Sequence, residues 1–369
     1  MTVKRLVLNF GGRSVDFRIG PDALSEFSRI SRGVVGRPVR ALVVEDPALP
    51  KDVSTRIAHE LIDAGFKIER WQAPAAASIT FEVISEVLAL LGSAQITADD
   101  VIVAAGGVRV TSLGAYVARL WCGSTPCVLV PTDLEGMVCA ATASDPIDVA
   151  GTEGHVLLRP EPSMVFCDVS LLSGDPEPAG NVLLLGAALA DSKRSWDRLK
   201  DHAAKIGEGD PVAIVDAVCN AQTCRRSVVA SANPSARHAL SFGVTTARAL
   251  RACLAHRNVP APWWQLLAEG MRFEARLATE AGKFSVEEVF GLDDALEDLG
   301  VEELAFDIDV EEFLKALEEE NARWSNRLFF ALPKGFGSIR LVNVDDEVLR
   351  RHAEAYLASR AELLEDAVQ

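Results

Sequence analysis

Long apolar runs are missing from this chain. No stretch of its 369 residues nears the ~20 apolar residues of a membrane-spanning helix. "NVLLLGAALA" at 181–190 is only ten residues long and predicts a buried helix. The start, "MTVKRLVLNF", has no apolar core behind its basic residues, so no secretory leader is expected. The cysteines are seven, an odd number, with no CxxC or Cys/His spacing. That excludes a disulfide framework and a structural zinc site, and it predicts reduced thiols in a cytoplasmic protein. The six histidines include no pair at metal-ligand spacing. Positive charge is scarce: 37 Lys and Arg against 53 Asp and Glu leave a net charge of −16. Nucleic acid and anionic membrane surfaces are therefore unsuitable partners. G-x-S-x-G, P-loop and H-E-x-x-H patterns are all absent, which removes the commonest hydrolase, nucleotidase and metalloprotease signatures.

What is present is an ordinary globular composition, 49% apolar and 24% charged, in a chain long enough for two domains. Up to about 172, strands and helices alternate. "RLVLNF" and "SVDFRIG" predict an opening hairpin with Gly11-Gly12 at its turn. "RALVVED", "FKIERWQA", "DVIVAAGG" and "CVLVPTD" predict parallel strands, with amphipathic helices such as "VSTRIAHELIDAG" between them. This rhythm predicts an α/β N-terminal domain, 1–172, with a mostly parallel doubly wound sheet. From 173 to 369 helical periodicity takes over, broken by a hairpin pattern near 326–344. Fifteen acids and one lysine, Lys315, lie within 287–320 and predict a solvated helical face.

The chemistry concentrates in three segments: "VAAGGVRVTSLGAYVA" at 103–118, "VPTDLEGMVCAATASDPIDV" at 130–149 and "RHALSFGVTTARAL" at 237–250. Gly106-Gly107 ends a strand and opens a helix, where backbone N–H groups and the helix dipole can hold a diphosphate. In order and spacing these segments resemble the NAD- and metal-binding segments of 3-dehydroquinate synthase and its sugar phosphate cyclase relatives. The resemblance runs over roughly 1–345. It implies an α/β nucleotide-type domain, a helical domain, a cleft between them and a homodimer.

Residue by residue, the resemblance is stronger in framework than in reactive groups. Gly106, Gly107, Leu113 and Tyr116 match a GGGVxGDLAGF-like segment, whose third glycine and aspartate here become Val108 and Ser112. "VPTDL" matches a PTTL-like turn that keeps Thr132 and puts Asp133 in place of a hydroxyl. Places that hold an Asp, a Gly-Gly and a Lys in the family hold Cys139, Ala143-Ser144 and Asp145, and a further Lys-Asn pair becomes Glu153-Gly154. The family's metal ligands, one Glu and two His, fall on Val182, Arg248 and Trp263, and Val244 replaces a further histidine. The expectation is therefore no metal, and NAD only as a doubtful ligand at Gly106, Gly107 and Thr132. Arg237 matches a family arginine and Arg225 keeps the charge of a substrate-contacting lysine. With Arg248 they suit a phosphate or carboxylate. Asp133, Glu135 and Asp145 are the candidates for general acid–base work. Cys139, beside a strand end, reads as packing rather than a thiolate. Two functions follow. One is a zinc-independent, cyclase- or lyase-like enzyme acting on a small anionic polyol or keto acid in specialised biosynthesis. The other is a non-catalytic homologue: a pseudoenzyme, a subunit partner or a small-molecule binder.

Overall fold

The computed structural model describes residues 2–28, 39–75, 78–150, 152, 154–173, 177–257, 261–281 and 284–366. The chain forms two compact units, Met1–Gly180 with Gly209–Arg226, and Asn181–Glu208 with Ser227–Gln369. A single cut at 172 misses the return at 209–226, where most of one helix joins the first unit.

The first unit is built on a seven-stranded sheet. Its strands are β1 (Lys4–Asn9), β2 (Ser14–Gly20), β3 (Arg40–Glu45), β4 (Lys67–Gln72), β5 (Val101–Gly106), β6 (Cys127–Pro131) and β7 (Met164–Asp168). Their order is β1-β2-β7-β6-β5-β3-β4. β1 and β2 are the antiparallel hairpin read from the sequence, and the other neighbouring pairs are parallel. Every residue of β5 and β6 is buried, which is why "VIVAAG" and "CVLVP" are unbroken by charge. The helices are α1 (Lys51–Asp63), α2 (Phe81–Ser93), α3 (Val108–Leu120) and the short α4 (Leu134–Cys139). α1 buries Val53, Ile57, Ala58 and Leu61, one apolar stripe, against a core that includes Val43, Val103, Val128 and Phe166. Each such side chain contributes roughly 1.5–3 kcal/mol on burial. α3 lies close on β5 because residue 114 is glycine: a Cβ there would stand 2.3 Å from that of Ala104.

The second unit is helical. Its elements are α5 (Pro178–Asp191, from Asn181), α6 (Lys193–Lys200), α7 (Ala203–Gly207), α9 (Val244–His256), α10 (Trp263–Glu280), α11 (Val286–Asp298), α12 (Val310–Ala322) and α13 (Asp346–Asp366). α8 (Pro211–Val229) belongs to the first unit through Arg226. β8 (Phe330–Pro333) and β9 (Ile339–Val342) form the antiparallel hairpin expected near 326–344. Phe273 is its aromatic hub, with ring centroids 5.5 Å from Phe313 and 5.3 Å from Tyr356. α9 and α10 cross at two glycines. A Cβ on Gly270 would lie 2.0 Å from the Gly243 carbonyl oxygen, and Gly243 itself has φ +84°. No described helix is long and apolar enough to cross a membrane.

Candidate functional site

The strand order places a reversal between β3 and β5. β3 leads through α1 to β4 on one side, and β5 then lies on the other. In open α/β sheets ligands bind at the carboxyl ends of the strands flanking such a reversal. Here that edge carries Asp46 after β3, Gly106-Gly107 after β5, and Thr132-Asp133 after β6. The Thr132 amide donates to the Gly106 carbonyl at 3.0 Å, tying two of these turns together. Gly106 has φ +151°, and a Cβ on it would lie 2.6 Å from the Asp46 Cβ. The glycine is required because the backbone passes directly under the aspartate. Beside this turn, Glu45, Asp46, Lys51, Ser54, Arg70 and Gln72 line a polar hollow of about 300 Å³. At its floor the buried Glu45 accepts from the Ser54 hydroxyl at 2.8 Å and from Arg70 Nη2 at 2.7 Å.

Asp133 has a definite structural task. Its Oδ2 accepts from the Val108 amide at 3.1 Å, at the start of α3, and its Oδ1 accepts from the Gly136 amide at 2.6 Å, at the start of α4. One carboxyl thus caps two helices, each with its positive dipole end toward it. A Cβ on Gly107 would fall 2.4 Å from that same Oδ2. Burial raises the Asp133 carboxyl above the usual carboxylate range, and Asp46 adds to the effect, although the two amides oppose it.

Glu135 and Asp145 stand with Asp133 in one charged group. Burial, then Asp133, Asp145 and Glu177, push Glu135 up to about 7, while Arg225 pulls the other way. Asp145 is raised by burial and by Asp133, with Arg109 opposing. Neither side-chain carboxyl has a hydrogen-bond partner among the described residues. The backbone of Asp145 is fixed instead: its amide donates to Ser112 Oγ at 2.9 Å, and its carbonyl accepts from the Tyr116 hydroxyl. Ser112, replacing the family's aspartate, therefore positions this loop. Arg225 is buried and donates from Nε to Thr142 Oγ1 at 2.8 Å and from Nη2 to Cys139 Sγ at 3.8 Å. The Cys139 thiol is pushed up to about 11 by burial, so it stays a neutral thiol and a packing group.

The other sequence candidates lie in the second unit. Arg237 is exposed and donates from Nε to the Ser231 carbonyl at 3.1 Å. Arg248 is half-buried on α9, its guanidinium carbon 3.7 Å from the Trp324 ring centroid. Val182 is buried within α5, and Trp263 lies under Arg251. Among the described residues no three His, Cys, Asp or Glu side chains are arranged so that they could hold a metal ion, and Val182, Arg248 and Trp263 supply no metal donor. Glu153 lies outside the described residues. Asp46 was not among the sequence candidates. Its signal was the acid that closes "RALVVED" at the first parallel strand, and only the strand order shows that this end borders the glycine turn.

Known proteins agree with this layout. The family model for the 3-dehydroquinate synthase N-terminal region matches residues 73–179. A 3-dehydroquinate synthase of Corynebacterium jeikeium (strain K411) is 27% identical over 343 residues, 88% of each chain. Among solved structures, a 2-deoxy-scyllo-inosose synthase complexed with carbaglucose-6-phosphate, NAD+ and Co2+ superposes with a TM-score of 0.80 at 15% identity, covering 95% of this chain and 100% of that one. The 2-epi-5-epi-valiolone synthase of Streptomyces hygroscopicus subsp. jinggangensis 5008, with NAD+ and Zn2+ bound, gives 0.79 at 19% identity, covering 97% and 99%. These two structures correct the cofactor expectation. No metal and a doubtful NAD were expected from the altered ligand positions, yet proteins of this fold are solved with both. The altered residues are a property of this chain's site and do not define what the fold carries. The matched segment and the relatives spanning most of its length make this chain similar to 3-dehydroquinate synthases, and the solved synthases share its fold.

Proposed function

We propose that this protein is a cyclase-like enzyme that acts on a small anionic polyol or keto acid of the sugar phosphate class, with Glu135 as its general acid–base. The observation that carries this reading is the carboxyl group of Glu135, raised to about 7 among Asp133, Asp145 and Glu177, with the buried Arg225 opposing. A group poised near neutral pH accepts and returns a proton with the least mismatch. Asp133 and Asp145 keep it basic enough to take a proton from carbon or oxygen. Arg225, fixed by Thr142, keeps it from being permanently protonated. Arg225, in the same unit as Glu135, serves an anionic group of the substrate.

The strand-end turn supports NAD as the cofactor. Gly106 and Gly107 leave the backbone bare at a helix start, Thr132 braces them, and Asp46 stands beside them at the sheet reversal. When bound, NAD supplies hydride acceptance and return. The chain's own residues then hold the substrate and move its protons. The proton chemistry is assigned to the carboxyl groups of Glu135, Asp133 and Asp145.

The test is turnover of a panel of six- and seven-carbon sugar phosphates with NAD+, followed by phosphate release and product mass. The wild-type pH profile should bend near 7. Glu135→Gln should lose that bend and about 10²–10⁴ of the rate. No turnover of any panel member, or a Glu135→Gln variant of undiminished rate, would leave the non-catalytic homologue as the better description.

A further inference from the structure

The second unit holds a cavity of about 370 Å³ between α10, α11 and α13. Arg276, Glu280, Val289, Phe290, His352 and Tyr356 are among its lining, and no residue of the acid–base group is. Its open edge is apolar: Val286 and Phe290, one turn apart on α11, line it while 52% and 62% exposed. Most polar groups of the lining are already engaged. Arg276 Nη2 donates to Asp293 Oδ2 at 2.7 Å, and Glu280 accepts from Arg351 Nη2 at 3.2 Å. The Thr279 hydroxyl donates to the Ala275 carbonyl at 3.4 Å, and the Ser359 hydroxyl to the Tyr356 carbonyl at 2.7 Å. The Tyr356 hydroxyl is spent on Glu269 Oε2 at 2.5 Å.

His352 is the exception, and it is only 8% exposed. Its Nε2 lies 3.0 Å from the Phe273 carbonyl oxygen, which can only accept, so Nε2 carries the proton. Burial, then Arg276, hold the imidazole below its ordinary range, although the Phe273 carbonyl and Glu280 oppose this, and the ring is neutral at physiological pH. Nδ1 is then a bare acceptor without a partner among the described residues, on a ring that lines the cavity. Buried polar atoms are normally hydrogen-bonded, so such an acceptor is matched to a donor on whatever fills the space. The lining therefore offers one acceptor, two aromatic rings, two valines and no uncommitted charge. An ionic ligand would leave its charge among groups already paired, and a polyol would leave hydroxyls against carbon. A single aromatic ring with one hydroxyl fits both demands, and the volume stands at the small end of the ~300–1,000 Å³ of ligand pockets.

We propose that this cavity is a binding site for small uncharged phenols, with His352 Nδ1 accepting from the phenolic hydroxyl and Phe290 covering the ring. The site shares no residue with the acid–base group, and its test reads binding alone. A chain that binds phenols yet converts no sugar phosphate keeps this site and loses the cyclase-like reading.

Calorimetric titration of the full chain with 4-methylphenol should give saturable binding with a Kd of roughly 5 mM or tighter. 4-Methylanisole has the same ring and no donor, so it should bind about fivefold weaker or more. Ala355 lines the cavity from an exposed position of α13, so Ala355→Trp should fold normally, as checked by circular dichroism and melt, and should abolish binding by filling the space. His352→Phe keeps a ring against Phe273 and loses Nδ1, so it should bind the two ligands alike. Where that variant melts too low to titrate, Ala355→Trp and the ligand pair still decide. The proposal is overturned by no saturable heat up to about 20 mM 4-methylphenol, by wild-type affinity in Ala355→Trp, or by 4-methylanisole binding as tightly as 4-methylphenol. It is also overturned by self-association in sedimentation that Phe290→Ser removes, which would give this apolar edge to a second copy of the chain.

Discussion

At Asp133 a buried carboxyl accepts from the first amide of α3 and an amide of α4, where a dinucleotide diphosphate would compete for the same donors. The chain thus carries its own anion at that helix start. Asp133→Thr keeps a capping oxygen and removes the charge, so the affinity for NAD+ should rise about tenfold or more. The wild-type affinity should also tighten as pH falls, because burial favours the neutral Asp133 carboxyl and protonation removes the like charge. Glu135 and Asp145, raised by burial and by Asp133, share these surroundings and add to that trend. Calorimetric titrations at pH 6 and 8 on both proteins check this; equal Kd values throughout would remove Asp133 from the diphosphate's path. Asp133 could be singled out from its sequence position beside the PT turn. Its second partner could not, because Val108 lies 25 residues away and only the strand order brings it near.

Among the elements, α9 shows the same device in the second unit. Its N-terminal end is closed by Glu274 of α10, which accepts from the Gly243 amide at 2.8 Å, the Thr246 amide at 3.3 Å and the Thr246 hydroxyl at 3.1 Å. Burial pushes this carboxyl up to about 8. An unfolded chain would release the same proton near the ordinary 4.5. Between those values folding therefore takes up a proton, so the contribution of Glu274 is complete below about 4.5 and declines as pH rises toward 8. Glu274→Gln retains an acceptor and cannot ionise. Its melting temperature should fall less than that of wild type between pH 5.5 and 8 by scanning calorimetry; an unchanged difference would mean that other groups set the slope. The elements themselves were largely legible. β5 and β6 are apolar runs because both faces of a parallel sheet are covered, and α1 announced itself by its stripe. The allegiance of α8 was not legible, since periodicity tells which face of a helix is apolar and not which core it joins.

For the molecule as a whole the dominant quantity is the charge of −16, much of it in 287–320. Some of these acids are paired: Arg276 with Asp293 at 2.7 Å, Arg257 with Glu312, and Lys200 with Asp294 at 3.5 Å. Exposed pairs of this kind contribute at most about 1 kcal/mol each, and the 53 acids outnumber the 37 Lys and Arg. Self-repulsion should therefore outweigh the pairs, and salt should stabilise the protein. Raising NaCl from about 0.05 to 0.5 M is expected to raise the melting temperature by roughly 2–4 °C. A fall would show that the ion pairs prevail. At this scale the candidates were legible and their neighbours were not. The resemblance singled out the glycine turn and, as candidates, Asp133, Glu135 and Asp145, which the fold brings into one charged group. The pairing of Arg248 with an indole, and of Arg251 with another, depends on folding that brings α9 against α10 and the end of α12.

The crossing of α9 and α10 has a genealogical meaning. Gly243 sits in "FGVT", inside a stretch by which this chain resembles 3-dehydroquinate synthase, and Gly270 sits in "EGM". Neither position has room for a methyl group, whatever reaction the neighbouring side chains perform. The kinship mark that a reader recognises here is thus a mark of how two helices touch. A chain can differ in the side chains around such a crossing and still keep the spelling of its contacts. Ancestry in this chain is written in its hinges of packing, while its trade is written in the side chains between them.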